Sequence, residues 1–232
     1  LGGALADRLF VVLVPLALFL VARVGVYAAS TGTPPAEIVS SAGVTGLIAS
    51  QVAVAANSSA RWAIFIVTVP VLVYATGMLY RAIAIAHAIA WHGSGRAVTL
   101  SSRGFAAFCG VIVAQFASIF VVGWVRHWDT FGGVAALLVY CGVLGSAWLG
   151  FSSLLPRGGS GWRPLVPGAA LAAVGMLAIN AFNVYITSRL VEERADTYGA
   201  LGVAAALLFS LYLVGRLIVG SAVLDATIEA RR

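Results

Sequence analysis

The sequence predicts an all-α fold: a polytopic transmembrane helical bundle of about six membrane helices plus an interfacial helix. Of the 232 residues, 61% are hydrophobic and only 9% are charged. A soluble globular domain carries about 25% charged residues, so this chain has too little charge to cover a water-facing surface. The apolar runs are about 20 residues long, which matches the thickness of a bilayer. We therefore expect residues 1–232 to form a single transmembrane domain.

Polar and helix-breaking segments divide the chain into its apolar runs. The predicted membrane helices cover residues 9–29, 62–80, 105–125, 134–155, 166–190 and 199–223. Pro34 and Pro35 end the first helix, because adjacent prolines remove two backbone donors and fix φ. Residues 36–56 are moderately apolar with helical spacing, which favours a helix lying at the membrane interface over a re-entrant loop. Residues 81–91 are rich in Ala and Ile and can prolong the second helix out of the bilayer.

The arginines predict the orientation of the chain. All fourteen basic residues are Arg, and twelve of them lie outside the apolar cores. One side of the membrane receives Arg8, Arg81, Arg96, Arg103, Arg157, Arg163, Arg231 and Arg232, and the other receives Arg61, Arg126, Arg189 and Arg194. Because positive charge accumulates on the cytoplasmic side, the first side and both termini are expected in the cytoplasm.

A few polar side chains inside the apolar runs are candidates for a lipid or substrate site. Arg216 lies well inside the sixth helix, where a charge costs several kcal/mol unless it is paired or hydrated, so we expect it to face the interior or a wet cavity. It would anchor an anionic headgroup, or else hydrogen-bond internally. Asn180 and Asn183 share one face of the fifth helix, and Gln115 lies mid-way along the third. With Arg216 these amides could form one polar pocket, although such amides also hold helices together.

Two further features of the sequence, an arginine in the first helix and a row of small residues in the fourth, each have two interpretations. Arg23 lies near the outer end of the first helix, where it can snorkel to headgroups or face a cavity. Ser146 and Gly150 are four residues apart on the fourth helix, and Gly142 and Gly145 extend a small-residue face. Such a face predicts close helix packing, either within the chain or between two chains.

The last third of the chain carries a family resemblance. It reads Leu155-Pro156, Trp162-Arg163-Pro164-Leu165-Val166-Pro167-Gly168-Ala169, Phe182, Tyr185-Ile186, Tyr198-Gly199-Ala200-Leu201-Gly202 and Leu211-Tyr212. This pattern resembles the YihY/virulence factor BrkB family of bacterial inner-membrane proteins, and the start of the chain is similar to the first helix of that family. Where the family commonly has Gly-Ala-Glu at the end of the sixth helix, this chain has Ser221-Ala222-Val223.

The resemblance implies a six-helix bundle in the bacterial inner membrane with both termini in the cytoplasm. Members of the family were once labelled ribonuclease BN, and others have been linked to serum resistance and to the transport of envelope lipid or lipopolysaccharide. It implies no settled activity.

The sequence contains no group of residues with the spacing of a known catalytic or metal-binding motif. His87, His92 and His127 are the histidines of the chain, and no carboxylate neighbours the first two, so neither a catalytic residue nor a metal site is predicted. The sequence 158–161 is a Gly-rich turn without the Lys of a phosphate-binding loop. Although the net charge is +6, the arginines are scattered, so no nucleic-acid partner is expected. We expect no enzymatic activity and no cofactor.

Three functions remain, with membrane lipids as the expected partners. The leading hypothesis is transport, or assistance to transport, of a lipid or lipid-linked envelope molecule. The alternative is a non-catalytic membrane scaffold that binds an envelope-complex partner or a second copy of itself. A small-solute or ion carrier is third, because the predicted helices contain no carboxylate well inside the membrane.

Overall fold

The computed structural model describes residues 2–35, 37–38, 61–92, 101–125, 130–157, 161–182 and 188–231. Within these ranges the protein is helical and contains no β-strand. The helices are α1 (Gly2–Thr31), α2 (Arg61–His92), α3 (Ser102–Val125), α4 (Thr130–Ser153), α5 (Val166–Phe182) and α6 (Ser188–Ala230), with a 3-10 turn at Arg163–Leu165 before α5. The predicted all-α class is confirmed.

The described helices are apolar enough to cross a bilayer. Five stretches have the length and composition of membrane spans: Gly2–Thr31, Trp62–Trp91, Gly133–Ser153, Arg163–Phe182 and Leu207–Ala230. A shorter apolar stretch, Ser102–Gln115, lies in α3. Only 22–28% of each span is buried within the chain, so most of the apolar surface faces outward, as lipid requires. The chain is a multi-pass membrane protein.

Local backbone chemistry explains two of the helix ends. Gly32 follows α1 with φ of 71°, and its N–H donates to the carbonyl oxygen of Ala28 at 2.9 Å. This left-handed cap satisfies a carbonyl at the helix end, and glycine adopts it without steric cost. Helix α4 ends at Ser153, shortly before Pro156, because proline disfavours helical backbone in the residue before it.

The observed boundaries differ from the predicted ones in the second and sixth helices. Residues 81–91 do prolong the second helix, as α2 runs unbroken from Arg61 to His92 across Pro70. Helix α5 covers Val166–Phe182, and residues 183–187 of the predicted fifth helix lie outside the described residues. The polar turn expected at residues 192–196 lies inside α6, since Glu and Arg are good helix formers and no proline interrupts the segment. Most of the predicted interfacial segment, 39–56, lies outside the described residues.

The chain forms two compact units, Arg8–Met78 and a larger one made of Leu1–Asp7 with Leu79–Arg232. In the smaller unit, α1 packs on α2 through Phe19 and Phe65, whose rings stack with their centroids 5.4 Å apart. The larger unit contains α3 to α6 and the ends of α1 and α2. The prediction of a single domain stays a prediction.

Aromatic rings form the core of the larger unit. Phe151 of α4 is fully buried and contacts the rings of Tyr80, Phe108 and Trp148 at centroid distances of 5.2–6.2 Å. The Tyr80 hydroxyl donates to the carbonyl oxygen of Ser101 at 3.3 Å. These contacts join α2, α3 and α4, and such large rings supply much of the packing energy of a core.

Small residues set the contacts between consecutive helices of the larger unit. A Cβ atom at Gly145 would lie 3.6 Å from the Cβ of Ala173, so α4 and α5 approach closely there. Helices α5 and α6 run antiparallel, because Gly168 lies against Asp225 at one end and Phe182 lies against Phe209 at the other. This pairing brings the carboxyl-terminal end of α6 to the first turn of α5.

Candidate functional site

Arg216 lies on the outer face of α6. The buried face of this helix carries Gly215, Ser221, Ala222 and Asp225. Arg216 follows Gly215 in the sequence and is exposed on the other side of the helix. Its guanidinium lies over the Tyr212 ring at 5.9 Å, near the limit of a cation–π contact. Arg216 is exposed, so the packed interior of the chain does not enclose it, and the alternative of a wet cavity stays a prediction.

Arg216 lies against the start of α1, since a Cβ atom at Gly2 would be 2.8 Å from its Cδ, and apolar side chains share its exposed face. Phe209, Tyr212 and Val223 are 42–50% exposed and share its outward face, at spacings of seven, four and seven residues. Arg216 lies about 13 Å from the nearer end of the apolar stretch Leu207–Ala230, at 1.5 Å per residue. Among the described residues its guanidinium has no hydrogen bond or ion pair, so its charge has no partner in that part of the chain.

Two of the predicted amides meet at a buried tyrosine. Tyr140 of α4 is 3% exposed, and its hydroxyl accepts a hydrogen bond from Nδ2 of Asn180 at 2.8 Å. The amide of Gln115 lies 3.3 Å from the same hydroxyl. One phenol therefore links α3, α4 and α5, which is the helix-holding role of amides in membranes. The structure brings Gln115 and Asn180 together but does not join Arg216 to them.

The other two predicted site residues are Asn183 and Arg23. Asn183 lies outside the described residues. Arg23 is exposed on α1, in the smaller unit, eight residues before the end of the helix at Thr31. At 1.5 Å per residue it is about 12 Å from that end, a distance that its side chain can shorten by snorkelling.

Replacing Tyr140 by phenylalanine is expected to lower the free energy of unfolding by about 1–2 kcal/mol, because two half-buried amides lose a shared buried partner. Thermal unfolding of the protein in mild detergent would measure the loss. Tyr74→Phe is the matched control, since Tyr74 is 71% exposed and should change little. Equal melting temperatures for the two variants would show that the Tyr140 hydroxyl does not hold the helices together.

Sequence reasoning missed a buried carboxylate. Asp225 is 2% exposed within α6, and its Oδ1 accepts a hydrogen bond from the backbone N–H of Gly168 at 2.7 Å. The predicted sixth helix ended at residue 223, which placed Asp225 in a polar tail. Helical spacing could have found it, because residue 225 follows Ser221 and Ala222 on the same face. Asp225 lies within the apolar stretch Leu207–Ala230, five residues before its end.

No protein-family model, curated protein or solved structure matches this chain. The resemblance to the YihY/BrkB family therefore stays a prediction from the residues quoted above. Among the described residues, no group of three or more His, Cys, Asp or Glu side chains is placed to hold a metal ion.

Proposed function

We propose that this multi-pass protein lies in a bacterial inner membrane with both termini in the cytoplasm, and that it transports, or assists the transport of, a lipid or lipid-linked envelope molecule. One observation carries the proposal: the guanidinium of Arg216 lies on an exposed, apolar row of α6, with the Tyr212 ring beside it and no ion pair among the described residues. An arginine in contact with hydrocarbon costs about 2.5–3.5 kcal/mol on insertion scales, so a membrane protein rarely keeps one without a function.

An anionic headgroup suits this arginine chemically. A guanidinium donates two parallel hydrogen bonds to a phosphate, and such charge-assisted bonds are about twice as strong as neutral ones. The apolar rings of Phe209 and Tyr212 on the same face provide a surface for acyl chains. A lipid that moves along α6 between Phe209 and Val223 would thus find a charged contact at Arg216.

Replacing Arg216 by alanine is expected to lower the rate of anionic-lipid translocation about 10-fold or more, from the loss of a charge-assisted contact of about 1.5–3 kcal/mol. The measurement is translocation of fluorescently labelled anionic lipid in proteoliposomes, beside empty vesicles. Arg216→Lys keeps the charge but not the two-donor geometry, and it should fall between the other two proteins.

The matched control is Arg231→Ala, which removes an exposed arginine near the end of α6. Each variant must elute as a single species with the helical content of the wild type before its rate is compared. Wild-type vesicles that move lipid no faster than empty ones, or equal rates for wild type and Arg216→Ala, would refute the proposal.

A second candidate, a membrane scaffold, has its own observation. Gly142, Ser146 and Gly150 recur every four residues on α4 and are exposed, whereas Gly145 packs against α5. A Cβ atom at Gly142 or Gly150 would meet nothing within 4 Å, so this row is open to another helix. Crosslinking in native membranes through a cysteine at residue 146 would capture a second copy or a partner subunit. Absence of any crosslinked species would remove this candidate.

A further inference from the structure

The carboxylate of Asp225 is anchored at the start of another helix. Gly168 is the third residue of α5, and the first N–H groups of a helix have no acceptor within it. The amino-terminal end of a helix also carries a partial positive charge, which favours an anion. Oδ1 of Asp225 therefore has a hydrogen-bond donor in the first turn of α5.

The second carboxylate oxygen of Asp225, Oδ2, differs from Oδ1 in its hydrogen bonding. Among the described residues, Oδ2 accepts no hydrogen bond, and no arginine forms an ion pair with this carboxylate. A buried charge with a single neutral donor is costly, because one hydrogen bond replaces only part of its hydration. The geometry therefore favours a positively charged species at this carboxylate.

A small polar cavity adjoins Asp225. Its polar lining consists of His87 from α2, Ser152 from α4, and Ser221 and Asp225 from α6. These four side chains are 2–4% exposed. The cavity has a volume of about 10 Å³, which leaves room for about one water molecule. A lipid headgroup does not fit.

The hydrogen bond of His87 shows which of its nitrogens can exchange a proton. Nδ1 lies 3.1 Å from the carbonyl oxygen of Pro156, and because a carbonyl only accepts, Nδ1 must carry a hydrogen. Proton gain or loss at this ring therefore occurs at Nε2. The ring stacks on Trp91, with the centroids 5.8 Å apart, and this contact fixes its plane.

We propose that this cavity is a proton-binding site, in which Asp225 takes up one proton by exchange with His87 through a single water molecule. When the imidazolium of His87 gives up its Nε2 proton, the Asp225 carboxylate becomes a carboxylic acid and the imidazole becomes neutral, so the net charge of the pair is unchanged. His87 then regains a proton from solvent. The proposal does not depend on lipid transport.

Among the described residues that line the cavity, His87 and Asp225 are the titratable ones. Helix α4 presents Trp148 and Ser152 to the cavity, and α5 presents the backbone of Gly168 to Asp225, none of which titrates in the physiological range. Arg163, in the turn before α5, is exposed, and Glu229, one turn after Asp225, does not line the cavity. With one carboxylate and room for one water molecule, the cavity suits a proton better than a metal ion.

The first test is the infrared spectrum of the whole chain in liposomes as a function of pH. A protonated buried carboxyl group gives a C=O stretching band that shifts in D2O. We expect this band in the wild type and in Glu229→Gln, and we expect Asp225→Asn to lose it, while the asparagine oxygen still accepts the Gly168 hydrogen bond. A band that persists unchanged in Asp225→Asn would overturn the proposal.

The role of His87 is tested by His87→Asn, whose amide nitrogen can replace Nδ1 as donor to Pro156. The midpoint at which the carboxyl band titrates should move by about one pH unit, the size of a neighbouring-group effect. An unchanged midpoint would remove His87 from the site. A band that responds to Na⁺ but not to pH would replace the proton with a metal ion.

Should Asp225→Asn fail to fold, the wild type alone suffices. A hydrophobic carbodiimide adds to a protonated carboxyl group in a membrane and leaves a stable N-acylurea, which mass spectrometry locates. Modification of Asp225 should fall about tenfold for each pH unit above the midpoint, as the protonated fraction falls. Modification that is absent at acidic pH, or that is independent of pH, would overturn the proposal.

Discussion

Replacing Gly168 by alanine is expected to lower the free energy of unfolding by about 3 kcal/mol. A Cβ atom at this position would overlap the carboxylate of Asp225, so this side chain must rotate away or α5 and α6 must move apart. Overpacking costs about 1–3 kcal/mol. The shift also lengthens the hydrogen bond from the Gly168 N–H to Asp225, and a bond to a charged group contributes about 1.5–3 kcal/mol.

This change can be measured by adding a denaturing detergent to the protein in mild detergent and monitoring the unfolding by circular dichroism. Gly142→Ala is the control, since a Cβ atom there meets nothing within 4 Å and helix propensity alone applies. In the double variant Gly168→Ala/Asp225→Ala the overlap is gone, so its loss should be smaller than the sum of the two single losses. Additive losses would mean that the two residues do not contact.

Replacing Gly215 by valine is expected to destabilise the larger unit by about 3 kcal/mol, the upper end for overpacking. A Cβ atom at Gly215 would lie 2.6 Å from the carbonyl oxygen of Gly2 and 3.3 Å from the backbone nitrogen of Ala6. Both atoms belong to the backbone of α1, so no side-chain rotation can relieve the contact. Helices α1 and α6 cross there because residue 215 has no side chain.

Gly220→Val on the same helix is the control for the Gly215 variant. A Cβ atom at Gly220 has nothing within 4 Å, and valine carries the same cost in helix propensity at both positions. The melting temperature in mild detergent should fall for Gly215→Val and change little for Gly220→Val. Equal melting temperatures would show that the crossing of α1 with α6 tolerates a side chain.

The helix ends show how far local pattern reaches. Pro34 and Pro35 follow the end of α1 as predicted, since the loss of donors acts on the backbone itself. The boundary between the fifth and sixth helices was predicted from charge, and there the pattern failed. Charged residues interrupt an apolar run without interrupting a helix, so the residues around Glu192 and Asp196 remain helical.

The site residues show what the sequence pattern does not predict. The sequence marked Gln115 and Asn180 as polar groups in apolar helices, but their common partner Tyr140 reads as one more aromatic residue until α3, α4 and α5 are packed. Arg216 and Asp225 reverse their expected roles: the arginine faces outward and the carboxylate is buried. Depth along a helix can be read from a sequence, whereas the direction around its axis depends on which neighbours it contacts.

The sequence by itself determined the class of this protein. It carries little charge, and its apolar runs have the length that a helix needs to cross a bilayer with all its backbone hydrogen bonds satisfied. The tertiary structure alone decided which polar groups meet. Packing of α5 on α6 through Gly168 brings a helix amino terminus to Asp225, and α2 and α4 enclose the adjoining cavity. Such contacts join residues far apart in the chain, and their energy depends on distances that periodicity does not encode.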